Sequence, residues 1–250
     1  MQDTTLNKAW GSKPGMDPNR RAALTAGVLF ITATVTSVVG TSLSRPFVNA
    51  PDYLGSVSAH ANQVTLGALF EFIAAVSSVG IAVSLYPVLR GWSAGLALGS
   101  VVFRTVEAVM YAVGVVSLLS LVRLSQRVTT AGADRAASQV VADSLLGVRE
   151  QAALVGVLAF SLGALMYYYV LYRSGLVPRW LSGWGLAAIF LAIVACLVAW
   201  FSHRPLTTYT IVLLPIGVQE MVLAVWLLAK GFSSSALQAG ARFEQSRGHD

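Results

Sequence analysis

Ser100-Val-Val-Phe-Arg-Thr-Val-Glu-Ala-Val-Met-Tyr-Ala-Val-Gly114 is an apolar stretch with an arginine and a glutamate at its centre. It lies inside a run from about residue 93 to 122, long enough to cross a bilayer, for which about 20 apolar residues suffice. Arg104 and Glu107 are three residues apart and share a helix face, which Ser100, Tyr111 and Gly114 extend at helical spacing. Charge at membrane depth costs roughly 2.5–3.5 kcal/mol per residue on insertion scales, so such groups turn inward and find partners. Two further apolar runs each hold one central carboxylate, Glu71 and Glu220. The stretch therefore marks an all-α polytopic membrane protein and points to the interior of its bundle.

Composition agrees. Charged residues make up 11% of the chain, against about 25% in ordinary soluble proteins. Apolar residues make up 56% and the mean hydropathy is +0.68. A soluble chain of this size could not hide that much apolar surface, so its solvent is lipid. The single cysteine, Cys196, excludes an intramolecular disulfide and a cysteine metal cluster. The net charge of +6 comes from basic residues at the ends of apolar runs. That is the distribution of a topology signal, and it argues against a nucleic-acid surface.

Six spanning helices in one bundle are expected, over about 22–43, 64–89, 93–122, 152–172, 181–201 and 207–230. A flexible basic tail, 1–21, precedes them without a cleaved signal, and a polar, disordered tail, 231–250, follows. Arg45-Pro46 is expected to end the first helix, with a loop around Asp52 and His60 beyond it. The second carries Glu71 on a stripe of small residues, Gly67, Ala68, Ala74, Ala75, Ser78 and Ala82, which lets another helix approach closely. The longest polar connection, 123–151, contains Asp134 as an N-cap for a helix that either lies along the membrane or runs into the fourth span. Tyr167, Tyr168, Tyr169 and Tyr172 read as an aromatic girdle. With the termini in the cytoplasm, inner segments hold ten Lys and Arg and outer segments, Arg149 among them, hold six. This bias predicts a membrane protein with both termini in the cytoplasm.

The interior is expected between the second, third and sixth spans. One arginine against three glutamates would leave a net charge of −2, so the surplus carboxylates bind protons or a cation. The candidate intramembrane site is Arg104, Glu107, Glu71, Glu220 and Tyr111, where Tyr111 either hydrogen-bonds Glu107 or only packs. Arg104 is expected to neutralise one of the carboxylates. The histidines lack metal-ligand spacing, and no phosphate loop or nucleophile elbow is present. Neither a metal, a cofactor nor a catalytic residue is predicted. Expected partners are the bilayer and a small solute or ion, with no nucleic acid. Three functions stay open: binding or moving a solute, proton or cation; a structural or accessory role in which buried charges fix packing; and, third, a membrane-embedded enzyme.

The chain also resembles the bacterial domain-of-unknown-function family 4386. The matching features are the apolar run with Glu71, Leu85-Tyr-Pro-Val-Leu89, Phe103-Arg-Thr-Val-Glu107, Tyr172-Arg-Ser-Gly-Leu-Val-Pro-Arg-Trp-Leu-Ser-Gly-Trp184 and Gln219-Glu-Met-Val-Leu-Ala-Val-Trp226. They span most of residues 20–232. The resemblance implies a small six-helix membrane protein and carries no activity or ligand. It also marks Arg173, Ser174, Pro178 and Arg179 as a possible motif of a cytoplasmic turn.

Overall fold

Long apolar segments bounded by Pro, Gly and polar residues have one low-energy form in lipid, the α-helix, which satisfies its own backbone. The computed structural model describes residues 16–131 and 134–247. Among these residues there are eight α-helices and no strand: α1 (Pro18–Val48), α2 (Tyr53–Ala59), α3 (Ala61–Leu89), α4 (Ala94–Ala131), α5 (Arg135–Ser174), α6 (Arg179–Ser202), α7 (Thr210–Ala229) and α8 (Ser234–Arg247). A 3₁₀ turn, Leu206–Tyr209, leads into α7. Six segments are long and apolar enough to span a membrane: α1, α3, α4, α5, α6 and the stretch Leu206–Ala229. The fold is that of an all-α polytopic membrane protein.

The spans close a ring. α1 packs on α3, α3 on α4, α4 on α5, α5 on α6, α6 on α7, and α7 returns to α1. Each neighbour runs opposite to the last, so the first and last spans have their outer ends on one side, called here the termini side. The α1–α3 contact is backbone to backbone: a Cβ on Gly40 would stand 2.7 Å from the Gly67 carbonyl oxygen. The small-residue stripe on α3 thus does what its composition predicts. At the termini end of the ring, Arg20 donates to the carbonyls of Leu227 (3.1 Å) and Leu228 (2.6 Å), tying α1 to the last turn of α7.

Several boundaries differ from the sequence reading, each for a local reason. α1 passes through Pro46 because a proline in the final turn removes one N–H, and Asn49 N–H still closes on Arg45 O at 3.0 Å. The loop expected around Asp52 contains α2, which buries Leu54 and Val57 against Leu118, Leu121 and Ala142. Asp52 caps it by accepting from Gly55 N–H (3.2 Å) and from Arg135 (2.7 Å). Those two bonds, the Gly55 one foremost, hold the Asp52 carboxyl below the usual carboxylate range. Burial and the bond to Asp143 push the neighbouring Tyr53 hydroxyl up to about 12. The 123–151 connection is largely helical. α4 and α5, 38 and 40 residues long, exceed the roughly 20 that a bilayer needs and project beyond it as a hairpin. Asp134 caps α5 as predicted, accepting from Ala136 N–H at 2.9 Å, and the helix runs straight into the fourth span.

The termini half of the ring is solid. Phe30, Leu85, Leu89, Tyr167, Tyr168 and Leu227 belong to one buried cluster. Tyr167 and Tyr168 are fully buried, which corrects the girdle: four tyrosines within six residues of a helix cannot all face lipid, and only Tyr169 and Tyr172 do. The turn after α5 closes this end. Gly175, at φ 67°, ends the helix in the left-handed region, and Leu176 and Val177 insert into the cluster. The tail expected to be disordered is helical over Ser234–Arg247; Phe243 lies 5.4 Å, centroid to centroid, from Trp92, an apolar contact that repays its ordering. Residues 1–15 and 248–250 of the two expected tails fall outside the described residues.

Candidate functional site

On the side opposite the termini the ring is not filled. A cavity of about 630 Å³ descends between α1, α3, α4, α5 and α7, and all five predicted residues, Arg104, Glu107, Glu71, Glu220 and Tyr111, line it. The expectation of three helices was too narrow, since α1 supplies Thr34, Ser37 and Thr41 and α5 supplies Arg149. Their spacing puts the α1 hydroxyls on one helix face.

Glu71 is paired, and its partner is Arg149. The Arg149 Nη2 donates to Glu71 Oε1 at 2.7 Å and Oε2 at 2.8 Å, and its Nη1 donates to Gly114 O at 3.0 Å. One side chain of α5 therefore ties α3 and α4 together. Sequence alone places Arg149 in a polar connection. Because α5 is continuous, that position falls inside the ring, and its side chain is only 24% exposed.

Deeper in, Arg104 and Glu107 are 2% and 4% exposed. Arg104 Nη1 lies 3.1 Å from Glu107 Oε2, an ion-pair contact made within one helix. It lacks hydrogen-bond geometry: among the described residues, Nε and Nη1 of Arg104 have no hydrogen-bond partner. The guanidinium carbon lies 4.8 Å from the centre of the Phe160 ring. Glu107 is held from the other side by Ser78 of α3, whose hydroxyl donates to Oε2 at 2.7 Å. Arg104 thus pairs with one glutamate, as predicted, and does so without filling its donors.

Glu220 is the third carboxylate. Its contact is the Tyr167 hydroxyl, which donates to Oε1 at a long 3.3 Å, and it keeps some exposed surface in the cavity. Its neighbour Gln219 is fully buried, accepting from the Tyr168 hydroxyl and donating to Leu181 O at 3.0 Å. These bonds fix α7 against α5 and α6 directly below Glu220.

Tyr111 packs against Gly156, where an added Cβ would meet the ring at 3.0 Å. No hydrogen bond to Glu107 is found among the described residues. The turn residues Arg173, Ser174, Pro178 and Arg179 do not line the cavity. Arg173 and Arg179 are exposed, Ser174 Oγ accepts from Leu176 N–H at 3.2 Å, and Pro178 precedes the first residue of α6.

Sequence reasoning missed Arg149, Ser78 as a glutamate ligand, Tyr167 and Gln219. The sequence pattern puts Ser78 on the Glu71 face, and Tyr167 and Gln219 are each within reach of a helical-wheel argument. Arg149 is not, since its depth depends on where α5 begins.

No curated protein and no solved structure matches the chain. A family model, Domain of unknown function (DUF4386), matches residues 25–231. The match covers all six spans almost end to end, and the chain belongs to that family.

Proposed function

We propose that this multi-pass membrane protein binds, and moves, a small solute at the intramembrane site, with Glu220 as the carboxylate that exchanges a proton or a cation. One observation carries the reading. Of the three glutamates in the cavity wall that are not exposed, Glu71, Glu107 and Glu220, two have an arginine within 3.1 Å, and Glu220 has a tyrosine hydroxyl at 3.3 Å. An ionised carboxylate in a low-dielectric interior is stable only with a counter-charge, so Glu220 carries a proton or binds a cation. The cavity volume falls in the range of about 300–1,000 Å³ typical of ligand sites.

The proposed location is the bacterial plasma membrane with cytoplasmic termini. Moving Arg149 from the outer segments into the ring strengthens the charge bias, leaving ten basic residues against five. The cavity then opens outward, and the packed half around Tyr167, Tyr168 and Leu176 closes the cytoplasmic end.

A second reading, a structural role for the charges, has its own observation in the Arg149 tie across α3, α4 and α5. It accounts for that pair and not for Glu220.

The test is the thermal midpoint of the protein in nanodiscs as a function of pH, for wild type and Glu220→Gln. The wild-type midpoint is expected to depend on pH, and the variant to lose that dependence while remaining at least as stable. Superimposable pH profiles would remove Glu220 as the exchanging group.

A further inference from the structure

The ring is closed tightly at one end of the α1–α7 contact and opens along the other. Near the termini side, Gly27 of α1 approaches α7 so closely that an added Cβ would meet Ala224 O at 3.0 Å and Leu228 Cγ at 2.8 Å. Arg20 locks the same end. Toward the far side, the two helices face each other across the cavity, with Ser37, Val38 and Thr41 of α1 opposite Leu213, Gly217 and Glu220 of α7. Ser37, Val38 and Thr41 line the cavity and are exposed. This side of the cavity lies between two membrane spans, where the neighbour outside the ring is lipid.

The wall of that opening has a mixed character. Thr34, Ser37 and Thr41 place hydroxyls along the α1 edge, and Val157, Phe160 and Ile216 give the interior an apolar surface. At the bottom, the Arg104–Glu107 pair is electrically neutral, and Glu220, with no arginine in ion-pair contact, adds one negative charge when ionised. Arg104, almost fully buried, offers two N–H donors with no acceptor. Among the described residues, no group of three His, Cys, Asp or Glu side chains converges, so this is not the many-oxygen cage that a hard divalent ion prefers.

We infer that the cavity takes a cationic amphiphile from the bilayer, a protonated amine on an apolar body, which enters between α1 and α7 and pairs its ammonium group with Glu220. The headgroup moves along the Thr41, Ser37 and Thr34 hydroxyls while the tail stays in lipid. The apolar body then packs near Phe160 and Ile216. An acceptor atom next to the amine would fill the Arg104 donors. This inference rests on Glu220 being the exchanging group.

The experiment uses the full chain in phosphatidylcholine nanodiscs, titrated with n-octylammonium, n-octanoate and tetramethylammonium, with empty nanodiscs subtracted. Octylammonium is expected to bind saturably and octanoate not to. Glu220→Gln should weaken octylammonium by about 10- to 100-fold, the worth of one charged hydrogen bond, and Glu220→Asp should keep part of the affinity. Ser37→Trp, which fills the opening, should slow association without lowering the thermal midpoint. Octanoate binding as well as octylammonium would overturn the cationic assignment, and tetramethylammonium binding as well as octylammonium would overturn the route through lipid. If no amine binds while the Glu220-dependent pH response persists, the inference fails and the proton-exchange reading stands. If that response is also absent, both fail.

Discussion

Two arginine–glutamate pairs face one cavity, and they are built differently. Arg149 joins α5 to α3 and α4 through three hydrogen bonds of 2.7–3.0 Å, two to Glu71 and one to Gly114 O. Arg104–Glu107 lies within one helix, touches at 3.1 Å without hydrogen-bond geometry, and leaves two buried donors empty. Evenly satisfied buried charges rigidify a structure, whereas partly satisfied ones are held at a cost that packing alone does not explain. The first pair is a structural tie, and the second, with Glu220 beside it, is the part of the interior that a ligand or proton can complete.

The contrast can be broken most forcefully at Arg149. Arg149→Met leaves Glu71 in the ring without its counter-charge. Breaking a buried pair costs about 3–5 kcal/mol, and the low end is expected because the Arg149 and Glu71 side chains keep 24% and 14% exposure. The loss is read by reversible unfolding in mixed micelles, and a Glu71→Met, Arg149→Met double variant should recover most of it. Gln219→Leu comes next. It strands the Tyr168 hydroxyl and Leu181 O, for a loss of about 2 kcal/mol, checked the same way.

Glu107→Gln should cost only about 1 kcal/mol, since an amide oxygen still accepts from Ser78 and still faces Arg104, whose contact with Glu107 has no hydrogen-bond geometry to lose. A cost equal to that of Glu71→Gln in parallel unfolding curves would erase the distinction between the pairs.

The smallest effect lies outside the membrane. Asp52 is held below the usual carboxylate range by Gly55 N–H and Arg135. A lowered carboxyl stabilises the fold above its unfolded value, and that contribution fades as pH falls through the folded one. Acid should therefore loosen α2 before the ring, seen as a loss of amide-exchange protection at Gly55 relative to the intrinsic rate at each pH, and Asp52→Asn should remove the acid step.

The spans, their number and the inward charged face could be read from apolar run length and the three-residue spacing of Arg104 and Glu107. Glu71 was legible as a buried carboxylate, but its partner was not. Helical continuity from Arg135 to Ser174 decides the position of Arg149, and a polar stretch such as Arg135–Glu150 gives no hydropathy signal for membrane depth. The contribution of α1 was legible in part: its Thr and Ser content was evident, while which hydroxyls bond back to the helix and which face a cavity depends on how α7 diverges. Tyr167 and Tyr168 were hidden by composition, because tyrosines near a helix end suggest an interface until the helical phase is considered. Helix α8 was hidden because its polar sequence folds onto Trp92 from another part of the chain.

The most direct measurement is the infrared carboxyl band of the protein in lipid, recorded as a pH difference spectrum for wild type, Glu220→Gln and Glu71→Gln. The expected result is a protonated-carboxyl signal that changes with pH in wild type and Glu71→Gln and is absent in Glu220→Gln. A signal that survives in Glu220→Gln and disappears in Glu71→Gln would contradict the assignment, making the Arg149 pair the exchanging site and Glu220 part of the scaffold.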